Sequence, residues 1–161
     1  IAKGHNVIHG NSFSNKYTGG NKNALTDGLI YGGSSSGNEN YEVWQGFEGV
    51  DMEAIIDLKE FSNISTISVG FLQKVNAWIF LPKEIEISIS LDGKKYTEIG
   101  KFENYGTQKN SPPSRKEYAA TIDSVEARFI KVSAYTIGDC PDWHVGKGEK
   151  SWIFADEIIV N

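Results

Sequence analysis

The chain of 161 residues has one cysteine, four prolines and one methionine. A single thiol, Cys140, excludes an internal disulfide framework and a cysteine-based structural metal cluster, so stability has to come from an apolar core. Three histidines leave little for a metalloenzyme to draw on. There is no long hydrophobic run: the apolar stretches are a handful of residues each, far short of the roughly 20 that span a bilayer. Basic residues are in deficit as well, with 16 Lys and Arg against 21 Asp and Glu and a formal charge of −5. That balance argues against nucleic acid and against an anionic membrane surface as partners. No charged-then-apolar leader follows Ile1, so the chain is expected to be a mature or excised piece of a longer protein.

What is abundant is aromatic and turn-forming: four Trp, seven Tyr, eight Phe and 17 Gly. The apolar residues number 39%, enough for one domain over 1–161 with a real core. Residues 84–91 read E-I-E-I-S-I-S-L, a strict alternation that predicts a half-buried strand. Asp92-Gly93 follows and 96–99 resumes the alternation, which predicts a hairpin with Gly at a positive φ. Further strands are expected at 54–58, 64–71, 118–122, 128–134 and 152–160. No stretch holds helical spacing for a dozen residues. Short strands joined by irregular loops predict an all-β, antiparallel sandwich or barrel. The loops 11–23, 31–41, 104–116 and 138–150 are long, and long loops in compact domains are where binding concentrates. Gly32 to Gly37, G-G-S-S-S-G, is expected to be a flexible turn.

Catalytic constellations are sparse. His5 and His9 have the i, i+4 spacing of a zinc helix, but they sit between glycines with no Glu between them, which favours surface histidines. Cys140 and His144 offer a nucleophile–base pair, yet nothing local supplies an oxyanion hole or an orienting third residue. Asp156 and Glu157 are adjacent in an expected strand and so are predicted to face opposite ways. A carboxylate at Glu157, inside the apolar run 152–160, is expensive unless paired or metal-bound. Asp27-Gly28 is a turn that suits a hard cation, because Ca²⁺ accepts main-chain as well as carboxylate oxygens. With Glu157 it would staple the two ends of the chain.

The rings carry the second signal. Trp78 and Trp143 fall on predicted loops beside Asn76, Gln73 and His144, and Tyr17, Tyr31 and Tyr105 on others. Aromatic faces next to planar polar groups are what a sugar needs, while Trp44 and Trp152, flanked by strand-like sequence, read as core. Trp143 fits either role.

Taken in order, Asp27-Gly28, Trp44-Gln45-Gly46-Phe47-Glu48-Gly49, Ile56-Asp57-Leu58, Ile67-Ser68-Val69-Gly70-Phe71, the S-x-S-x-D-G of Ser88 to Gly93, Ala127-Arg128-Phe129-Ile130-Lys131-Val132 and Phe154-Ala155-Asp156-Glu157-Ile158 resemble a discoidin domain, the coagulation factor 5/8 type C fold. The wording around Trp44 and Trp152 is similar to family 32 carbohydrate-binding modules appended to bacterial family 20 glycoside hydrolases, the β-hexosaminidases. The resemblance implies a jelly-roll β-sandwich of about eight antiparallel strands, a structural Ca²⁺ and a shallow sugar site in the end loops. By position it makes Asp27 and Glu157 side-chain calcium ligands and Ala24 and Ala155 carbonyl donors. The Ser or Thr that often helps just before the strand-two Trp is missing from Tyr41-Glu42-Val43. The binding loops correspond to 11–23, 73–80, 104–113 and 138–150.

The expected function is therefore non-catalytic carbohydrate binding, for galactose-type or N-acetylhexosamine-type termini. Trp78 or Trp143 would stack on the sugar, with Asn76, Gln73, His144 and Tyr105 as polar or flanking contacts. The expected setting is a monomeric module tethered to a secreted, periplasmic or cell-surface bacterial glycoside hydrolase. The rival reading is an accessory domain that packs on the catalytic partner without touching sugar.

Overall fold

The computed structural model describes residues 1–31 and 41–161, so the 31–41 loop and its Gly32 to Gly37 turn lie largely outside the described residues. The described residues form seven strands: β1 (Val7–His9), β2 (Gln45–Glu48), β3 (Met52–Gln73), β4 (Glu84–Ser90), β5 (Thr97–Glu103), β6 (Ser114–Tyr135) and β7 (Trp152–Val160). Every strand pair is antiparallel, in the order β2-β7-β3-β6-β4-β5, with β1 added to β3. The fold is all-β, as expected. No helix among the described residues is long and apolar enough to cross a membrane.

The seven strands are made up differently from the seven segments expected from the sequence: two predicted pairs fuse, and the short β1 and β2 are added. The segments 54–58 and 64–71 are both parts of β3, and 118–122 and 128–134 are both parts of β6. Between the halves the β3–β6 register shifts twice, at Asp57/Ser62 and Ile64/Thr66. Lys59 takes φ 68° at this bend. Asp57 Oδ1 accepts the Lys59 N–H at 2.8 Å and holds that turn. Such irregularities bend a strand and sharpen its twist. The bend sends each long strand from one layer into the other. One layer is β2, β7, the second half of β3 and the first half of β6; the other is β1, the first half of β3, the second half of β6, β4 and β5.

The core lies between these layers. Ile85, Ile87, Ile130 and Val132 of one layer pack in a single cluster with Phe47, Ile67, Val69, Phe71 and Ile153 of the other. The alternation in β4 holds at its start, where Ile85 and Ile87 are buried while Glu84 and Glu86 turn outward and share Lys101, both at 3.1 Å; beyond it Ser88 and Ser90 are buried along with Ile89. Leu91 is exposed and ends the pattern. Gly93 has φ 71°, as the hairpin requires, with Asp92 Oδ1 accepting the N–H groups of Lys94 and Lys95. Trp44 is core, at 1% exposure, beside Leu72, Ile79 and Phe154, and Trp152 packs against the same group.

Candidate functional site

The connections β3–β4, β5–β6 and β6–β7 meet at one end of the sandwich. The short turn Val75–Ala77 ends at Trp78, which adopts φ 63° as its cap and donates its backbone N–H to Val75 O. A bulky residue is rare in that conformation, and packing holds it there. The indole Nε1 donates to Glu149 Oε2 at 2.8 Å, and the ring meets His144 edge-on at 5.0 Å. Gly146 lies so close that a Cβ there would stand 1.9 Å from the indole nitrogen. Trp78 is therefore a half-buried ring whose polar edge is already used by Glu149, so it braces the loops.

His144 is likewise committed. It is 7% exposed; its Nε2 lies 2.7 Å from Val75 O and its Nδ1 accepts the Gly146 N–H at 3.0 Å. Accepting at Nδ1 fixes the proton on Nε2, so the ring bridges two loops and has no nitrogen left for a hydroxyl. Gln73 is buried too, its amide donating to Pro112 O and its carbonyl oxygen accepting from Thr107. These two expected sugar contacts brace the loops that carry the site. The nucleophile reading of Cys140 fails with them. The thiol is 4% exposed among Val75 and Phe80, burial pushes it up from its ordinary pKa, and His144 has no free nitrogen for it.

Trp143 is different. It is 36% exposed, with its ring tilted against Phe80 at 6.2 Å. Two recesses share it. A cleft of about 270 Å³ is lined by Phe80, Lys83, Asn104, Thr107, Asp139 and Trp143, among others. A smaller recess of about 170 Å³ is lined by Val75, Asn76, Lys109, Trp143, His144 and Val145. Asn76 is exposed and sits in the smaller one. Tyr105 is 88% exposed, and its hydroxyl is bound to the Glu103 carboxylate. The 11–23 loop does not line these recesses. It runs along β2, where Tyr17 bonds to Gly46 and packs on Trp152 and Phe154. Lys83, Lys109, Val145 and Glu149 were not singled out from sequence. They lie in or beside the expected loops, but a lone Lys or Val in a loop carries no pattern.

At the chain ends, Asp27 caps the turn Ala24–Thr26 and accepts the Leu29 N–H at 2.8 Å. Glu157, 3% exposed, accepts the Gly28 N–H at 3.0 Å. Burial first, then the charges of Asp27 and Asp156, push its pKa up to about 7, against the pull of the Gly28 N–H and Lys3. The expectation that Asp156 and Glu157 face opposite ways meets an irregularity. Phe71 pairs with Ala155 but Val69 with Ile158, so β7 carries an extra residue here and simple alternation fails. Asp156, fully buried, is answered by Arg115 at 2.6 and 3.2 Å and by the Tyr31 and Glu157 N–H groups. No ion pair answers Glu157 among the described residues. Nearby, Gln45 is fully buried and pairs opposite Ala155; its amide donates to Asn21 O, and its carbonyl oxygen has no partner among the described residues. Two carboxylates and an orphaned amide oxygen at the chain ends are oxygen donors of the kind a hard cation such as Ca²⁺ takes. His5 and His9 instead bond to the Asp57 and Lys22 carbonyls.

The model of the F5/8 type C domain matches residues 9–153. The chain belongs to that family. Solved structures share the fold of this F5/8 type C domain at low identity. A pectin-binding carbohydrate-binding module is 17% identical with a TM-score of 0.60, over 100% of this chain and 92% of its own. CpGH89CBM32-4 of Clostridium perfringens, solved with GlcNAc-α-1,4-galactose, is 15% identical with a TM-score of 0.58, over 98% of this chain and 89% of its own. SpGH29 is 15% identical with a TM-score of 0.57, over 99% of this chain, which spans only 27% of SpGH29. Among curated proteins none matches the sequence.

Proposed function

We propose that this F5/8 type C domain is a non-catalytic carbohydrate-binding module. The observation that carries the reading is the open Trp143 ring, standing between two recesses on a braced loop end. A sugar's apolar C–H face stacks on such a ring while polar groups such as Asn76 meet its hydroxyls. Structural neighbours that are carbohydrate-binding modules support it. The sugars are of galactose or N-acetylhexosamine type. The module is a monomer tethered to a glycoside hydrolase that is secreted, periplasmic or held at a bacterial cell surface, and it steers that enzyme to its glycan. Binding is weak, with Kd between tens of micromolar and about 1 mM, because a shallow rim retains little energy beyond its ordering cost. The tethered enzyme supplies avidity.

Asp27 and Glu157 would hold a structural Ca²⁺, with the main-chain carbonyls of Ala24 and Ala155 completing the set. The cation would neutralise the two carboxylates and fasten the 24–28 turn to β7. A glycan array with wild type and Trp143→Ala, each with and without chelator, tests the function. Retention of galactose-type or hexosamine-type glycans by wild type, lost in the folded variant, is the expected result. An empty array from folded wild type with calcium overturns the reading in favour of an accessory packing domain.

A further inference from the structure

At the loop end most acidic side chains are answered from within the chain. Asp139 pairs with Lys150 at 2.8 Å and Asp142 with Lys147 at 3.1 Å. Glu149 accepts the Trp78 indole N–H, and Glu103 accepts the Tyr105 hydroxyl. Lys83 and Lys109 stand apart from this pattern. Neither ammonium makes an ion pair or hydrogen bond among the described residues, although acids outnumber bases in the chain by 21 to 16. One lines each of the two recesses that share Trp143: Lys83 the larger, Lys109 the smaller. The only carboxylate lining either recess is Asp139, whose charge Lys150 already meets.

An ammonium gains most from an anionic oxygen, since a charge-assisted hydrogen bond is about twice as strong as a neutral one. Two lysines without an acidic partner among the described residues, one in the lining of each recess beside Trp143, are poorly used by a neutral sugar and well used by one that carries acid groups. We infer that the Trp143 rim takes an anionic glycan of two or more units, whose sugar-borne carboxylate or sulfate groups meet Lys83 in one recess and Lys109 in the other. The inference rests on the carbohydrate reading above and names the class of sugar for that same platform. It is compatible with a galactose-type ring, because oxidation at C6 or sulfation leaves the stacking face intact.

Calorimetric titration of the whole chain with three galactose-type oligosaccharides of equal length, one uronate, one sulfated and one neutral, tests it. At least one anionic ligand is expected to bind about tenfold tighter than the neutral one in dilute buffer, with the advantage shrinking as salt screens it. K83Q and K109Q are each expected to weaken anionic binding about five- to tenfold, with K83R and K109R restoring most of it; K94Q, in the β4–β5 turn, is the control. The uronate and sulfated arms tell carboxylate from sulfate. Equal affinity for neutral and anionic ligands overturns the inference and leaves the carbohydrate reading standing. An anionic preference that survives in the K83Q/K109Q double variant also overturns it. Failure of all three ligands to bind overturns the inference, and the glycan array then decides the carbohydrate reading separately.

Discussion

Two irregular regions of this domain handle polar groups in opposite ways. At the loop end around 136–151, His144 and the Trp78 indole are spent on bonds within the loops, while the Trp143 ring stays part-exposed between two recesses that Lys83 and Lys109 help to line. At the 21–31 strap, Glu157 and the Gln45 carbonyl oxygen are buried without a charge or hydrogen-bond answer equal to them. The first region is a finished surface and the second an unfinished one. Internally satisfied loops leave few polar atoms to answer, whereas buried oxygens with no full answer are costly and suit the proposed cation.

β7 makes the contrast within one residue step, since Asp156 has Arg115 and Glu157 has no such partner. Breaking the answered charge is expected to have the largest effect. Asp156→Ala strands Arg115 over Gly70 and is expected to cost about 3 to 5 kcal/mol by urea unfolding, with or without calcium. Asp27→Ala comes next. Added Ca²⁺ is expected to stabilise wild type by about 3 kcal/mol at a hundredfold excess over Kd, and the variant to show almost none of this, so chelator no longer shifts its melting temperature. An unchanged calcium response would make the strap a finished structure after all.

A third test probes the bend in β3. Arg128, at 2.8 and 3.0 Å, and then the Lys59 contacts hold the Asp57 carboxyl well below the usual carboxylate range, against the opposing effect of burial. A carboxylate with a depressed folded pKa stabilises above its unfolded value and loses that contribution as pH falls toward the folded one. Asp57→Asn is therefore expected to lower the melting temperature by about 2 to 4 °C near neutral pH, with the gap to wild type closing below about pH 4. A gap independent of pH would remove the charge argument. The smallest effect on stability is expected at the rim. Trp143→Ala should cost less than about 1 kcal/mol while abolishing glycan retention, because that ring is already partly in water. A large loss of stability would reclassify Trp143 as packing, like Trp78.

Much of the architecture was readable from residue order. β4 and β7 fall where alternation and apolar content put them, because a period of two is a property of neighbours in sequence. β1 and β2 are three and four residues long, too short for alternation to register, and they exist because β3 and β7 offer them edges. The fused strands were read as four because Lys59 and the shifted register interrupt the pattern without ending the pairing. At the site, the loops were legible and the roles inside them were not. Trp78 and Trp143 look alike in sequence; only Gly146 and Glu149, from another loop, set the braced Trp78 apart from the more open Trp143.

The sequence by itself determined an all-β chain, a core of alternating branched residues and the loops in which aromatic side chains gather, since all three follow from local composition and spacing. Tertiary structure decided which polar atoms remain free. His144 is silenced by Val75, 69 residues away, and Glu157 is met by the Gly28 N–H, 129 residues away, while burial and the neighbouring carboxylates still push its pKa up. Whether a buried group is satisfied depends on what the fold brings to it, and that information is not local to any segment of the chain.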